Sequence, residues 1–150
     1  MGLIGQFESQ ILEREEFAGA ISFSALSSDE TVLVEMPPYT IDEYLFCHRF
    51  QTDQLLTVQG SLVVVCLQNR QYHYIPMSDL IPQVLKIPPR IPHLAANLSS
   101  QPCRVINAII RHGKFHPKDY QTIAKPFPLD LDRIQKLFQE LKLNKEELYG

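Results

Sequence analysis

Two stretches of this 150-residue sequence place chemically active side chains at defined intervals. In the first, His48 is followed after four residues by Asp53 and after six more by Gly60. In the second, Pro88 is followed after four residues by His93 and after three more by Asn97. Histidine changes charge near neutrality, so it serves as proton acceptor, proton donor or metal ligand. A carboxylate offers proton transfer or ligation at lower pH. The other candidates carry less. His73 lies between Tyr72 and Tyr74 on an expected strand, where it reads as a half-exposed residue. Tyr72 and Tyr74 share one face, able to stack on a sugar or base or to pack across strands. His112 and His116 are four residues apart, but Gly113 and Pro117 argue against a helix that would align them, so they read as loop residues. Cys47, Cys66 and Cys103 are odd in number and form no CxxC pair. They read as reduced, buried thiols, which excludes a cysteine zinc cluster.

Such side chains act only where secondary structure aims them, and most of the chain is written with a period of two. Residues 20–26 and 31–36 alternate or are rich in β-branched types. Tyr44, Phe46, His48 and Phe50 fall on one face of an expected strand, with Leu45, Cys47 and Arg49 on the other. Residues 55–59 and 61–67 read as strand, turn at Gly60, strand, the second apolar enough to be buried on both faces. Gln68-Asn69-Arg70 is a hairpin loop leading into 71–75, and further strands are expected at 84–87, 93–98 and 104–111. This regular succession of short strands predicts a sandwich or barrel. After Pro126 and Pro128 the period changes. Leu131, Ile134, Leu137, Phe138 and Leu141 form one stripe behind a capping candidate, Asp130, predicting an amphipathic helix over about 130–148. A weaker helical pattern at Phe7, Ile11 and Leu12 opens the chain. One domain over 1–150 is expected, its barrel core about 20–112.

Composition narrows the function classes. Hydrophobic residues make up 45% and charged residues 21%, the balance of a folded globular protein. Fourteen basic residues against seventeen acidic ones, with no dense basic cluster, give no electrostatic footprint for nucleic acid. No apolar run approaches a bilayer span, and the first residues lack the pattern of a signal peptide; Gln6 stands where a myristoylation site wants Ser or Thr. The expectation is a cytoplasmic protein with no membrane and no nucleic-acid partner.

The spacing of His48, Asp53, Gly60, Pro88, His93 and Asn97 resembles the two signature motifs of the cupin superfamily. Gln51-Thr52-Asp53, Ile87-Pro88-Pro89, Val105-Ile106-Asn107 and Pro117-Lys118-Asp119-Tyr120 are similar to the branch related to dTDP-sugar 3,5-epimerases. The resemblance implies a cupin jelly-roll barrel of two antiparallel sheets with a C-terminal helix, commonly paired as a homodimer. Departures accompany it. Phe46 replaces the first motif histidine, Asp53 the glutamate, and Pro82 and Arg90 the two glycines. Leu45 replaces an arginine, and Gln54 the lysine that would steady an enolate.

What the resemblance implies chemically is that His48, Asp53 and His93 converge in the barrel mouth. The leading expectation is a cupin binding a small, polar, carbohydrate-like molecule, a sugar or sugar nucleotide, with divergent isomerase activity. His48 and Asp53 would be catalytic, His48 as base. Gln54, Arg90, His93, Tyr72 and Tyr74 would contact ligand, Arg90 as an anion clamp, and Asn97 would brace the hairpin. Tyr72, Tyr74 and Tyr120 are the candidate acids. The second expectation is a metal-dependent enzyme, dioxygenase or isomerase, with a divalent transition metal on His48, Asp53 and His93. The third is a non-catalytic sensing or assembly module with a degenerate pocket, engaging a protein through Leu137 and Leu141.

Overall fold

A computed structural model describes residues 5–24, 26–114 and 116–149. Residues 1–4, on which the targeting expectations partly rest, and Ala25, within the expected strand at 20–26, lie outside the described residues. The strands are β1 (Glu8–Ile11), β2 (Arg14–Phe17), β3 (Ala20–Phe23), β4 (Glu30–Met36), β5 (Thr40–Ile41), β6 (Leu45–His48) and β7 (Gln51–Gln59). They continue with β8 (Ser61–Gln68), β9 (Gln71–Ser78), β10 (Gln83–Ile87), β11 (His93–Asn97), β12 (Cys103–Arg111) and β13 (Tyr120–Ile123), and the helix is α1 (Leu131–Tyr149). One sheet runs β1-β10-β7-β12-β4, and the other runs β13-β6-β11-β8-β9 with β5 beside β11. Strands β2 and β3 form a separate hairpin. This is the expected architecture of two antiparallel sheets and a terminal helix.

Period-two alternation builds two cores. Leu62, Val64 and Cys66 of β8 and Met77 of β9 meet Met36, Leu85, Ile87, Cys103 and Val105 of the facing sheet. The residues between them on β8, Val63 and Val65, point the other way, where they join Leu45, Leu94 and Ala96 beneath Ile134 and Phe138 of α1. That double burial is why β8 is written as a continuous apolar run. The helix stripe therefore lies on the barrel. Asp130 caps α1 as expected, its Oδ1 accepting the Arg133 N–H at 3.0 Å.

Three further features of the sequence take their reason from the backbone. Gly60 sits at φ 86°, and a Cβ there would come within 2.9 Å of the Pro102 carbonyl oxygen, so the turn between β7 and β8 needs glycine. The three cysteines are free and buried, and burial pushes the Cys66 thiol up to about 12 and the Cys103 thiol to about 11. The helical pattern expected at Phe7 to Leu12 is corrected to β1, because residues 8–11 pair antiparallel with the open edge of β10, and tertiary pairing overrides a short periodic signal. Both sheets extend past the expected 20–112, taking in β1 and β13.

Candidate active site in the barrel

Strand alternation sorts the motif residues into two groups. On β6, Phe46 and His48 face the barrel interior while Leu45 packs beneath the helix. On β7, Asp53 faces inward and Gln54 outward; on β11, His93 faces inward beside Phe46, its cross-strand partner. These residues, with Leu55, Asn107 of β12 and Tyr120 of β13, line a cavity of about 430 Å³ between the sheets. Its walls are largely apolar; His48, Asp53 and His93 form one polar cluster in it, and Glu35, Thr40 and Asp42 line it as well.

Asp53 is the anchor of this cluster. Its Oδ1 accepts hydrogen bonds from Gln51 Nε2 at 2.7 Å and Asn107 Nδ2 at 3.0 Å, and its Oδ2 lies 3.0 Å from His93 Nε2. Burial alone would raise this carboxyl. The bond and charge of His93, with the Gln51 and Asn107 bonds, outweigh burial and bring it down to about 2. His93 Nδ1 lies 2.9 Å from the Ile91 carbonyl oxygen, so both ring nitrogens face oxygen acceptors.

His48 is held differently. Burial lowers its pKa most; Asp53 and Asp119 oppose that, while His93 and Arg111 add to it, and the ring is biased toward its neutral form. Its Nδ1 is buried without a hydrogen-bond partner, 3.7 Å from Asp119 Oδ2. Its Nε2 lies 3.4 Å from Gln51 Nε2 and 3.8 Å from Asp53 Oδ2. A hydrogen on Nδ1, toward Asp119, leaves a lone pair on Nε2 facing a donor amide. Asp119 is itself fixed, its Oδ1 accepting the backbone N–H groups of Arg49 and Phe50 at 2.7 and 2.8 Å. The Tyr120 ring lies 5.6 Å from that of His48 and 5.5 Å from that of Phe46. Its phenol is shifted up, by burial and then by Asp42, and so keeps its proton.

The structure thus brings His48, Asp53, His93 and Tyr120 together. Four other expected ligand contacts lie elsewhere. Gln54 is on the opposite face of β7, where its Nε2 donates to the Ser27 and Ala108 carbonyls. Tyr72 donates to the Phe127 carbonyl, and Tyr74 accepts from the Asp130 N–H, so both tyrosines anchor the segment leading into α1. Arg90 stands outside the cavity, at φ 71°, the left-handed conformation that explains why glycine suits this position. Asn97 is fully buried and ties together the carbonyls of Met36, Pro37 and Gln101. His112 bonds Thr52, and His73 bonds the Gln68 carbonyl.

The metal site fits poorly. Among the described residues no group of three or more His, Cys, Asp or Glu side chains is arranged to hold a metal ion. Both Asp53 oxygens are engaged by hydrogen bonds, and the His93 nitrogen nearest it is directed at that carboxylate rather than at a shared point.

Sequence reasoning named Gln51 and Asp119 only within longer stretches and gave them no site role, and it did not single out Arg111. Arg111 shares inward parity with Asn107 on β12, bonds Gln51 Oε1 through Nη1 at 3.3 Å and pairs with Glu30. Period-two counting from Asn107 would have found it. Asp119 lies in the bend that precedes β13, where no period marks it.

No protein-family model matches the chain, and no curated protein sequence matches it. Solved structures do. A dTDP-sugar isomerase from Desulfovibrio desulfuricans superposes with TM-score 0.67 at 16% identity, covering 83% of this chain and 91% of that one. The 3,4-ketoisomerase QdtA from Thermoanaerobacterium thermosaccharolyticum, in complex with TDP-4-keto-6-deoxyglucose, gives 0.64 at 10%, covering 79% and 88%. NovW, a 4-keto-6-deoxy sugar epimerase from Streptomyces spheroides, gives 0.63 at 11%, covering 85% and 77%. The chain has the cupin jelly-roll fold that these sugar isomerases and epimerases share.

Proposed function

We propose that this protein binds a keto-sugar nucleotide in the barrel cavity and isomerises it by proton transfer beside the carbonyl. The observation that carries this reading is the state of His48: buried, biased to neutrality, lining a cavity of ligand size, with Asp119 behind it and the Tyr120 phenol beside it. In this reading His48 Nε2 removes the proton α to the carbonyl, and Asp119 stabilises the resulting imidazolium. Proton return comes from Tyr120 to the same carbon, giving inversion, or from His48 to the former carbonyl carbon, giving ketoisomerisation once the proton of the adjacent hydroxyl has passed to the old carbonyl oxygen through the enediol. The enolate needs positive potential. In place of the lysine absent at Gln54, that potential comes from Arg111, whose charge reaches His48.

The dTDP-sugar substrates named for the structurally similar enzymes support the ligand class. The metal reading is less well supported because the donor set does not fit, and the assembly reading because the helix stripe packs on the barrel while the cavity holds the His48, Asp53 and His93 cluster. We infer a cytoplasmic homodimer, joined through the β2–β3 hairpin and the edge of β4. The hairpin is exposed throughout, with Phe17 at 83%, and Val32, Leu33 and Val34 of β4 are exposed beside an unpaired sheet edge. Calorimetric titration with TDP-4-keto-6-deoxyglucose tests the binding. Saturable heat is expected for the native chain and at least a tenfold weakening in His93→Ala; the absence of binding to the native chain would contradict the proposal.

A further inference from the structure

A second cavity, of about 530 Å³, lies outside the barrel, where the turns at Asn69–Arg70 and Arg90–Pro92 meet the Pro126–Phe127 segment. Ile91, Pro92 and Phe127 give it an apolar lining, and Arg70 and Arg90 stand over it. Among the described residues no carboxylate lines it. Among the described residues neither guanidinium takes part in an ion pair, although the chain as a whole is acidic by three charges. Two cations without a counterion around an apolar floor are complementary to an anion with an apolar body.

The backbone gives an independent observation. Asn69 and Arg70 occupy the two-residue turn between β8 and β9 at φ 56° and 62°, and Arg90 lies at φ 71°. A side chain with a Cβ is disfavoured in this left-handed region, and glycine is the usual occupant of the second turn position. The chain thus holds arginine at two places where glycine would be easier, and both arginines border the same cavity. Strained backbone of this kind collects at binding sites.

We propose that this cavity binds a phosphorylated small molecule bearing a planar ring, with Arg70 and Arg90 gripping the phosphate and Phe127 with its proline neighbours packing the ring. Arginine forks match phosphate oxygens in pairs. The Phe127 ring is pre-set by Tyr72, whose ring centroid lies 4.4 Å away. The site is separate from the His48 cavity, but the Arg90 N–H donates to the His48 carbonyl at 2.6 Å, so the two are one backbone bond apart.

The test is a titration of uniformly ¹⁵N-labelled protein with phenyl phosphate, followed at the amides of Asn69, Arg70, Arg90 and Ile91. Saturable shifts at these amides are expected, tighter than with inorganic phosphate and unchanged in His48→Ala. In the double variant Arg70→Gly, Arg90→Gly the affinity is expected to fall at least tenfold while the melting temperature holds or rises, because glycine relieves both turns. Absent shifts, shifts confined to the barrel cavity, equal affinity for inorganic phosphate, or retained affinity in the double variant would overturn the proposal.

Discussion

At the scale of single residues, the chemistry turns on how neighbours set the charge of His48 and Asp53. Burial lowers the His48 pKa most; the Asp119 carboxylate opposes that and Arg111 adds to it. The acid limb of an isomerisation rate profile therefore lies below the ordinary histidine value of about 6.5. Asp119→Asn removes a stabiliser of the imidazolium, so the limb moves to lower pH and the rate falls by roughly 10- to 100-fold. Arg111→Gln moves the limb to higher pH. Rate–pH profiles of the two variants check both signs. Asp53 gives a stability prediction. Its carboxyl is held at about 2 in the folded chain, against 3.8 ordinarily. It binds fewer protons folded than unfolded between those values, so it contributes about 2 kcal/mol above pH 4 that is lost as pH falls through 2. Asp53→Asn abolishes that part of the pH dependence in denaturant melts and leaves the His93 bond without its anion. Of these groups His48, Asp53 and His93 were legible because their spacing repeats a two-hairpin pattern. The role of Asp119 was not, because it holds the turn at Arg49 and Phe50 from a bend seventy residues away, which no local period encodes.

Secondary-structure elements explain why some residues act and others only support. Period-two reading found the strands bearing the site, since alternation there reflects one face on a cavity and one on a core. It also marked β8 as buried on both sides, as its packing between barrel and helix requires. It failed where pairing rather than pattern decides. β1 has an exposed, mixed sequence and is a strand only because β10 offers an edge, and β13 owes its form to β6. It also could not assign faces across hairpins, which is why the Tyr72–Tyr74 pair read as a ligand contact, whereas Gln54 read as one through the resemblance although alternation puts it opposite Asp53. Gln54→Ala is expected to leave sugar-nucleotide affinity within about twofold while costing roughly 1–3 kcal/mol, because the buried Ala108 carbonyl loses its donor. Ile134 of α1 is fully buried against the barrel, so Ile134→Ala should cost about 2–5 kcal/mol without changing ligand affinity. Urea melts paired with calorimetry separate the two effects.

The whole molecule shows a division of surfaces. One outer sheet face is covered by α1, whereas the other carries an apolar cross-strand row, Leu33 beside Ile106 beside Leu56. With the exposed hairpin and the β4 edge, this face is where the proposed homodimer forms. Sedimentation should show a dimer for the native chain and a monomer for the double variant Phe17→Glu, Leu33→Glu; a native monomer at micromolar concentration would contradict that assembly. Fold alone does not determine chemistry, so the central claim rests on proton transfer by His48. Its most direct test is mass-spectrometric deuterium incorporation from D₂O into the ring carbons of TDP-4-keto-6-deoxyglucose beside the carbonyl. The account predicts incorporation well above the enzyme-free rate and its loss by at least 100-fold in His48→Ala that still folds. Incorporation at the enzyme-free rate with the native protein, or an undiminished rate in the variant, would contradict it.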